Sequence, residues 1–214
     1  MNNGSPFDIN SYTGIGQIAS IFGMYLPDII DDHPNVRILT SDMSYGARLE
    51  RFKSLYPELF INVGIAEQNL IGVSAGLASE GFKCVALAQA TFISMRSFEQ
   101  VRQYLSYMHS NIILVGLSAG FALQFMGNSH YSIEDIAIMR SLPNLVVLSP
   151  ADASEAVKAF AAALQINAPV YLRLTGEAST PLVYKEDYSF SIGKSNVIRA
   201  GQDITIFALS LIHI

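Results

Sequence analysis

Charged side chains are scarce in this sequence. Of its 214 residues, 14% are Asp, Glu, Lys or Arg and 50% are hydrophobic. The charged share of an average globular domain is about 25%. We therefore expect the chain to bury surface against another chain, to lack part of its structure, or both. Its net charge of −5 provides no basic surface for nucleic acid or for an anionic membrane.

Cysteine and long apolar runs are also scarce. The single cysteine, Cys84, excludes an internal disulfide framework and favours a reducing compartment. Its apolar neighbours indicate a small core residue. The longest apolar stretch, at 112–126, is interrupted by polar residues and is too short to span a bilayer. The polar start does not resemble a signal peptide, so we expect a cytoplasmic protein without a membrane segment.

The sequence does contain a regular alternation of short apolar runs and helical patterns. The runs interpreted as strands are at 36–40, 60–63, 83–88, 111–117, 145–148 and 169–174. The helical patterns are at 11–30, 66–79, 97–109, 133–141 and 151–165, and the helix at 97–109 is expected to begin a few residues earlier. Continuous apolar strands are typical of a parallel sheet covered on both faces. The pattern predicts a doubly wound, mostly parallel α/β domain over residues 1–175.

The composition changes after this domain. Residues 176–190 are polar and turn-rich and are interpreted as a linker. Residues 191–214 are interpreted as the truncated start of a second α/β domain, with strands at 191–200 and 203–208. The last six residues, 209–214, resemble a translated sequencing-adapter end and are interpreted as a scar. A genuine strand continuing from Ile206 is the alternative.

A strand, a glycine and a helix start meet near Glu67. Gly64 suits the cap position, which would make Glu67 the third helical residue. A glutamate in the first turn stabilises free backbone donors and the helix dipole, so a purely structural role is one interpretation. Its apolar flanks favour another, a carboxylate in a low-dielectric crevice at the carboxyl ends of the strands. Ligands bind to parallel sheets at that edge.

Phe92, Met95 and Phe98 are three residues apart, as on a buried helix face. Two further candidates stand at the ends of elements. His130 lies in a loop before a helix. It is interpreted either as a surface hydrogen-bonding group or as a proton-transfer group. Arg173 ends a buried strand, where its charge needs a partner.

The segment Gly64-Ile65-Ala66-Glu67-Gln68-Asn69 resembles a segment of transketolases and deoxyxylulose phosphate synthases. The similarity continues through Ala90-Thr91-Phe92 and the following helix. It extends through 129–137, 142–144 and 149–152, so that it covers nearly all of 10–175 in order. The chain most resembles the C-terminal section of two-subunit transketolases, which is their pyrimidine-binding domain.

This resemblance implies thiamine diphosphate and magnesium as cofactors. Glu67 would hydrogen-bond a ring nitrogen of the aminopyrimidine and promote the imino tautomer that activates the cofactor. Phe92 is the best match for an aromatic residue packing on that ring, followed by Phe98, and Met95 would pad it. Asp42 matches an aspartate near the cofactor, although it would also serve as a turn cap.

The resemblance further implies transfer of a two-carbon ketol unit between sugars. His130 would assist proton transfer at the substrate oxygens, and Arg173 would contact a substrate phosphate. A structural ion pair is the alternative for Arg173. Ser118, Phe125 and Met126 replace a histidine and an acidic pair of the family. Specificity for phosphorylated sugars is therefore in question, and an unusual ketose or acyl donor is an alternative.

The family's Gly-Asp-Gly motif with a downstream Asn is absent, and that motif holds magnesium and the diphosphate. This chain is thus expected to contain half a site and no metal ligand. An N-terminal transketolase subunit, or a missing N-terminal segment, would complete it in a homodimer or heterotetramer. Two alternatives remain, a deoxyxylulose phosphate synthase-like enzyme and a non-catalytic regulatory or assembly subunit.

Overall fold

The sheet of the computed structural model has six strands, and each neighbouring pair is parallel. The structure describes residues 9–175, 181–184 and 186–209. The strands are β1 (Val36–Thr40), β2 (Phe60–Asn62), β3 (Lys83–Gln89), β4 (Ile112–Leu117), β5 (Val146–Leu148) and β6 (Val170–Arg173). Their order across the sheet is β2-β1-β3-β4-β6-β5. The predicted parallel α/β sheet is confirmed, with every strand end within one residue of its predicted position.

Helices and helical turns connect the strands. The α-helices are α1 (Leu26–Ile29), α2 (Glu50–Leu55), α3 (Glu67–Ser79), α4 (Phe98–Gln100), α5 (Asp135–Met139) and α6 (Ala153–Gln165). Wider, π-helical turns cover Ala19–Tyr25, Phe92–Arg96 and Val101–Tyr107. Tighter 3-10 turns cover Ile9–Tyr12, Ile30–Asp32, Pro57–Leu59, Gln124–Met126 and Asn128–His130. The helix predicted at 97–109 therefore begins earlier, and it opens in a π turn, a form that often occurs at functional sites.

Both faces of the sheet are covered by apolar side chains. Val85 and Leu87 of β3 point into one hydrophobic cluster, with Phe22 and with Phe160 of α6. Alternate β3 residues, including Cys84, point into the other cluster, together with α3. Burial raises the pKa of the Cys84 thiol to about 12, which agrees with the interpretation of this residue as part of the core. Within the described parts of the chain, we find no helix with both the length and the apolarity to cross a membrane.

The segment after β6 contacts α6 but forms no helix or strand within 181–184 and 186–209. The Asp152 carboxylate accepts a hydrogen bond from the backbone N–H of Val183 at 2.7 Å. Lys158 pairs with Asp187. Phe190 packs against the first hydrophobic cluster. This segment is thus attached to α6 by polar and apolar contacts.

The strands predicted at 191–200 and 203–208 were wrong for the described residues. Val197, Ile206 and Phe207 are 83%, 82% and 86% exposed. Strand pattern alone is insufficient here because a strand needs a neighbouring strand to satisfy its backbone groups. The assignment of 191–214 to a second domain stays a prediction. Of the proposed scar, residues 210–214 lie outside the described residues, as do 176–180 and 185 of the proposed linker.

Candidate functional site

The turn between β2 and α3 positions Glu67 at the carboxyl edge of the sheet. Gly64 has φ of +76°, a left-handed conformation that favours glycine. Ala66 is the N-cap residue and Glu67 is the first residue of α3. The prediction that Gly64 caps the helix and that Glu67 is its third residue was therefore wrong. Two extra residues turn the chain before the helix begins.

Side-chain hydrogen bonds stabilise this turn. The Asn62 Oδ1 atom accepts hydrogen bonds from the backbone N–H groups of Asp42 and Gly64, each at 3.0 Å. The Asn62 amide in turn donates to Asp42 Oδ1 at 3.2 Å. Asp42 is exposed and has φ of +58°. It therefore lies beside the Glu67 turn and joins the ends of β1 and β2. In the turn that follows β1, the Met43 N–H donates to Thr40 Oγ1 at 3.1 Å, so the turn-cap role of Asp42 stays a prediction. Its contact with a cofactor stays a prediction.

Glu67 is a buried carboxylate with an exposed partner. Its side chain is 4% exposed, and its Oε2 atom lies 2.7 Å from Nη1 of Arg96, whose side chain is 47% exposed. A buried carboxylate without a partner is costly, and the contact with Arg96 offsets part of the cost of burying Glu67. The backbone carbonyl of Arg96 also accepts a hydrogen bond from the Gln68 side chain at 3.2 Å. The π turn and the first turn of α3 are thus joined at two points.

Arg96 extends this contact to two predicted site residues. Its guanidinium carbon lies 4.1 Å from the centroid of the Phe92 ring. The Phe92 ring meets the His130 ring edge-on, with centroids 5.4 Å apart and planes at 70°. Glu67, Arg96, Phe92 and His130 therefore form one continuous series of contacts, which we call the Glu67 cluster. It joins residues from the segments that follow β2, β3 and β4.

His130 reaches the Glu67 cluster from the loop after β4. It ends the 3-10 turn Asn128–His130, which follows Gly127 at φ of +83°. The Ser129 hydroxyl and His130 Nδ1 are 2.9 Å apart. The ring is half-buried. A histidine held in this way beside an aromatic ring is a suitable group for proton transfer.

Met95 and Phe98 lie outside the Glu67 cluster. Met95 is 41% exposed, and Phe98 packs against the second hydrophobic cluster. The helix is interrupted between them at Ser97, which has φ of −108° and ψ of 18°. The three-residue spacing from Phe92 therefore does not produce one buried face. The cofactor contacts of Met95 and Phe98 stay predictions.

Arg173 takes part in a second buried ion pair. Its Nε atom lies 2.8 Å from Oδ2 of Asp135, and the side chains are 9% and 0% exposed. The Tyr171 hydroxyl donates to the same oxygen at 2.8 Å. Burial, with the negative charge of Asp135, raises the pKa of Tyr171 well above its usual value. The structural alternative for Arg173 is thus what the chain forms. A phosphate contact stays a prediction.

Ser118, Phe125 and Met126, which the resemblance marks as substitutions, differ in their exposure. Ser118 is 7% exposed and follows β4, whereas Phe125 and Met126 are 81% and 47% exposed. The loop that carries His130 therefore presents apolar side chains at the positions where the resemblance predicts acidic ones. Among the residues that the structure describes, no group of three His, Cys, Asp or Glu side chains is placed to hold a metal ion.

Sequence reasoning missed Arg96. A signal was present, because Arg96 is the only Lys or Arg in residues 84–101. A glutamate predicted to be buried requires a cationic or hydrogen-bonding partner. The search for that partner in the neighbouring helical segment would have identified Arg96. Asp135 could have been found in the same way as the partner that Arg173 needs.

Known proteins are similar to this chain in sequence. The chain is 37% identical over 171 residues to an apulose-4-phosphate transketolase subunit of Phocaeicola vulgatus, covering 79% of this chain and 54% of that protein. It is 29% identical over 212 residues to the 1-deoxy-D-xylulose-5-phosphate synthase of Caldanaerobacter subterraneus, covering 97% of this chain and 34% of the synthase. The chain thus spans about half the length of the transketolase subunit.

A solved structure supports the same relationship. It is described as a split-gene transketolase in an inactive beta4 tetramer, and it matches with a TM-score of 0.82 at 37% identity. The match covers 93% of this chain and 64% of that one. The family model for the transketolase pyrimidine-binding domain matches residues 17–180. Since that match includes the whole sheet and every member of the Glu67 cluster, the chain belongs to the transketolase pyrimidine-binding domain family.

Proposed function

We propose that this chain is the pyrimidine-binding subunit of a two-chain transketolase that transfers a two-carbon ketol unit between sugars. The observation that carries the proposal is the buried Glu67 carboxylate at the carboxyl edge of the sheet, which Arg96 links to the half-buried Phe92 ring. A crevice at this edge is the usual ligand site of an open parallel sheet. The family to which the chain belongs supports thiamine diphosphate as the ligand.

The residues present fit an aminopyrimidine. Glu67 offers a carboxyl group to a ring nitrogen, and Phe92 offers an aromatic surface for stacking. The low exposure of Glu67, 4% for its side chain, would strengthen such a hydrogen bond by excluding water. Bound thiamine diphosphate would supply the nucleophilic carbon and the electron sink for cleaving a bond next to a carbonyl.

The chain's own residues would handle protons around that cofactor. Glu67 would hold a proton at the ring nitrogen and so favour the imino form. His130 would give a proton to, or take one from, a substrate oxygen, as imidazole groups do in general acid–base catalysis. Phe92 would fix the orientation of the ring between these two groups. Its edge-on contact with His130 supports this division of roles.

The other half of the site would come from a partner chain. The described residues offer no group of side chains for a metal ion, and the sequence has no Gly-Asp-Gly motif. We therefore propose that an N-terminal subunit holds magnesium and the diphosphate, within a heterotetramer or a homodimer of paired chains. The name of the 37% identical relative, which describes it as one subunit of a transketolase, supports a two-subunit enzyme.

Glu67→Gln, assembled with the N-terminal subunit, tests the catalytic role. The amide keeps the size of the side chain but cannot drive the imino tautomer. We expect hydrogen–deuterium exchange at the thiazolium carbon to slow by about a hundredfold or more. Glu99→Gln is the matched control, because Glu99 is exposed and pairs with Arg102. Exchange in Glu67→Gln equal to that in the control would leave Glu67 as a helix-end residue only.

A deoxyxylulose phosphate synthase-like activity is the second candidate. The 29% identity that extends over 97% of this chain favours it. Such an enzyme condenses pyruvate with an aldose phosphate and releases carbon dioxide, whereas a transketolase needs a ketose donor. Incubating the assembled enzyme with labelled pyruvate separates the two reactions. Release of labelled carbon dioxide with formation of a ketose phosphate would replace the transketolase proposal.

A non-catalytic subunit is the third candidate. The exposed apolar side chains of Phe125 and Met126 favour it, because they stand where the family has acidic residues. In that case the assembled complex would show no turnover with ketose or pyruvate donors, and Glu67→Gln would have no kinetic effect.

A further inference from the structure

Arg96 makes the two contacts that a bound aminopyrimidine is expected to make. Its guanidinium donates to Glu67 Oε2 at 2.7 Å and lies over the Phe92 ring at 4.1 Å. A guanidinium is flat, carries N–H donors in its plane and stacks on aromatic faces. An aminopyrimidine is also flat, shares a proton with a carboxyl group through its ring nitrogen, and stacks through its face. The two groups therefore suit the same pair of partners.

The surroundings of Arg96 allow its side chain to leave. The side chain is 47% exposed, so a rotation would carry the guanidinium into solvent. Its backbone is held independently by the hydrogen bond from Gln68. The π turn would therefore keep its position while the side chain moves. The Arg173 side chain, 9% exposed and bonded to Asp135, has no comparable route outwards.

Burial of Glu67 creates a physical need for such a partner. An uncompensated buried carboxylate destabilises the fold, and Arg96 supplies the compensating charge until another group takes its place. We propose that Arg96 is a stand-in for the cofactor's aminopyrimidine, contacting Glu67 and Phe92 in the free chain and withdrawing when the ring enters. This inference rests on the proposed function, because it takes the aminopyrimidine as the natural partner of Glu67.

The stand-in competes with the ligand, and this gives the proposal its test. When a competing group occupies a site for most of the time, the apparent dissociation constant of the ligand equals its intrinsic value divided by the fraction of time that the site is open. Removal of the competitor should therefore strengthen binding, although it removes a contact from the protein. A residue that only supports the bound ring would give the opposite result.

The test uses the complete chain and the free fragment 4-amino-5-hydroxymethyl-2-methylpyrimidine. Binding is followed by two-dimensional NMR of the Arg96 Nε–Hε group and of backbone amides. In the wild type, the fragment should shift the Arg96 signal towards that of a solvated arginine. In Arg96→Gln, we expect the fragment to bind about fivefold tighter. The ligand-free melting temperature of this variant should be lower than that of the wild type, and the fragment should raise it more.

Two further variants help to interpret the binding measurement. Arg96→Lys retains the charge, and hence the fold, but loses the planar stack, so it should also bind the fragment more tightly than the wild type. Arg102→Gln removes an exposed arginine that pairs with Glu99 and should change neither binding nor the melting temperature. Equal or weaker binding by both Arg96 variants, or no binding at all by Arg96→Gln, would overturn the stand-in role.

Glu67→Gln separates this failure from failure of the proposed function. If fragment binding is lost in Glu67→Gln but is unaffected by both Arg96 variants, Glu67 binds the ring and only the stand-in role is wrong. If Glu67→Gln binds as the wild type does, Glu67 is not the partner of the ring, and the stand-in role and the proposed function both lose their support.

Discussion

Two buried carboxylates in this chain are paired with arginines, and the pairs differ in what surrounds them. Asp135 is fully buried, and its Oδ2 atom accepts from Arg173 and Tyr171, which are themselves buried. The partner of Glu67 is Arg96, whose side chain is 47% exposed. Arg173 is buried beside Asp135 and cannot be replaced by a ligand. Arg96 is half-exposed, so a ligand could take its place beside Glu67. The exposure of the partner arginine therefore distinguishes a structural carboxylate from one that is available to a ligand.

Removal of the Asp135 charge should give the largest effect. Asp135→Asn leaves the Arg173 charge buried without its counter-ion, and breaking such a pair costs about 3–5 kcal/mol of unfolding free energy. Urea unfolding of the isolated chain measures the loss. The control is Glu99→Gln, which breaks an exposed pair and should cost less than about 1 kcal/mol. Equal losses in the two variants would show that the Asp135 network is not structural.

A methyl group next to Tyr171 should give the second largest effect. A Cβ atom at Gly116 would lie 2.4 Å from the Tyr171 hydroxyl oxygen, so Gly116→Ala must displace the tyrosine that bonds to Asp135. Overpacking of this kind costs about 1–3 kcal/mol. Gly76→Ala in α3 is the matched control, since a Cβ there meets nothing within 4 Å and should stabilise the helix by about 0.5–1 kcal/mol.

Thermal melts of Gly116→Ala and Gly76→Ala measure both changes in stability. A Gly116→Ala protein as stable as the wild type would mean that Tyr171 moves without disturbing Asp135. In that case the network would be less rigid than its geometry implies.

Lys83 extends the comparison to a buried cation. Its Nζ atom donates to the Ile166 carbonyl at 2.6 Å, and burial lowers its pKa to about 8 from 10.5. Between these values the unfolded chain holds a proton that the folded chain lacks, so folding becomes more favourable as pH rises. Between pH 7 and 9.5, this group should add about 1–2 kcal/mol to the unfolding free energy.

Lys83→Met isolates that contribution. The difference in urea midpoint between wild type and variant should move in favour of the wild type as pH rises from 7 to 9.5. A difference that stays constant with pH would show that Lys83 keeps its proton throughout, as an exposed lysine does.

The smallest effect on stability is expected for Glu67 itself. In the isolated chain, Glu67→Gln loses an ion pair whose cation is half-exposed, and the free arginine can be solvated. The expected cost is about 1 kcal/mol, well below that of Asp135→Asn. Calorimetric melting of both variants under one condition gives the comparison. A Glu67→Gln loss as large as that of Asp135→Asn would erase the distinction between the two carboxylates.

The sheet was predictable from the sequence because its strands are continuous apolar runs bounded by turn residues. The site was predictable in part. The strand–glycine–helix pattern located Glu67, but the helix register was wrong, because the left-handed turn at Gly64 and the non-helical cap at Ala66 are not visible in the pattern. Spacing also failed after β3, where a π turn and the break at Ser97 place Met95 and Phe98 apart.

Pairing partners were the hardest to predict. Arg96 and Asp135 satisfy buried charges across 29 and 38 residues of sequence, a separation that no local pattern reports. The strands predicted after residue 190 failed for a related reason. A strand is defined by its neighbour, and the described residues offer none there.

The all-parallel sheet has a consequence for how this domain can change over time. Every strand ends at the same edge, so Glu67, Phe92 and His130 lie on three separate segments that follow β2, β3 and β4. The core is formed by the strands and helices beneath them. The sequence of one segment, such as the one that contains Phe125 and Met126, can therefore change while the other two segments and the core keep theirs. New substrate preferences can arise in such a domain one segment at a time, each at little risk to folding.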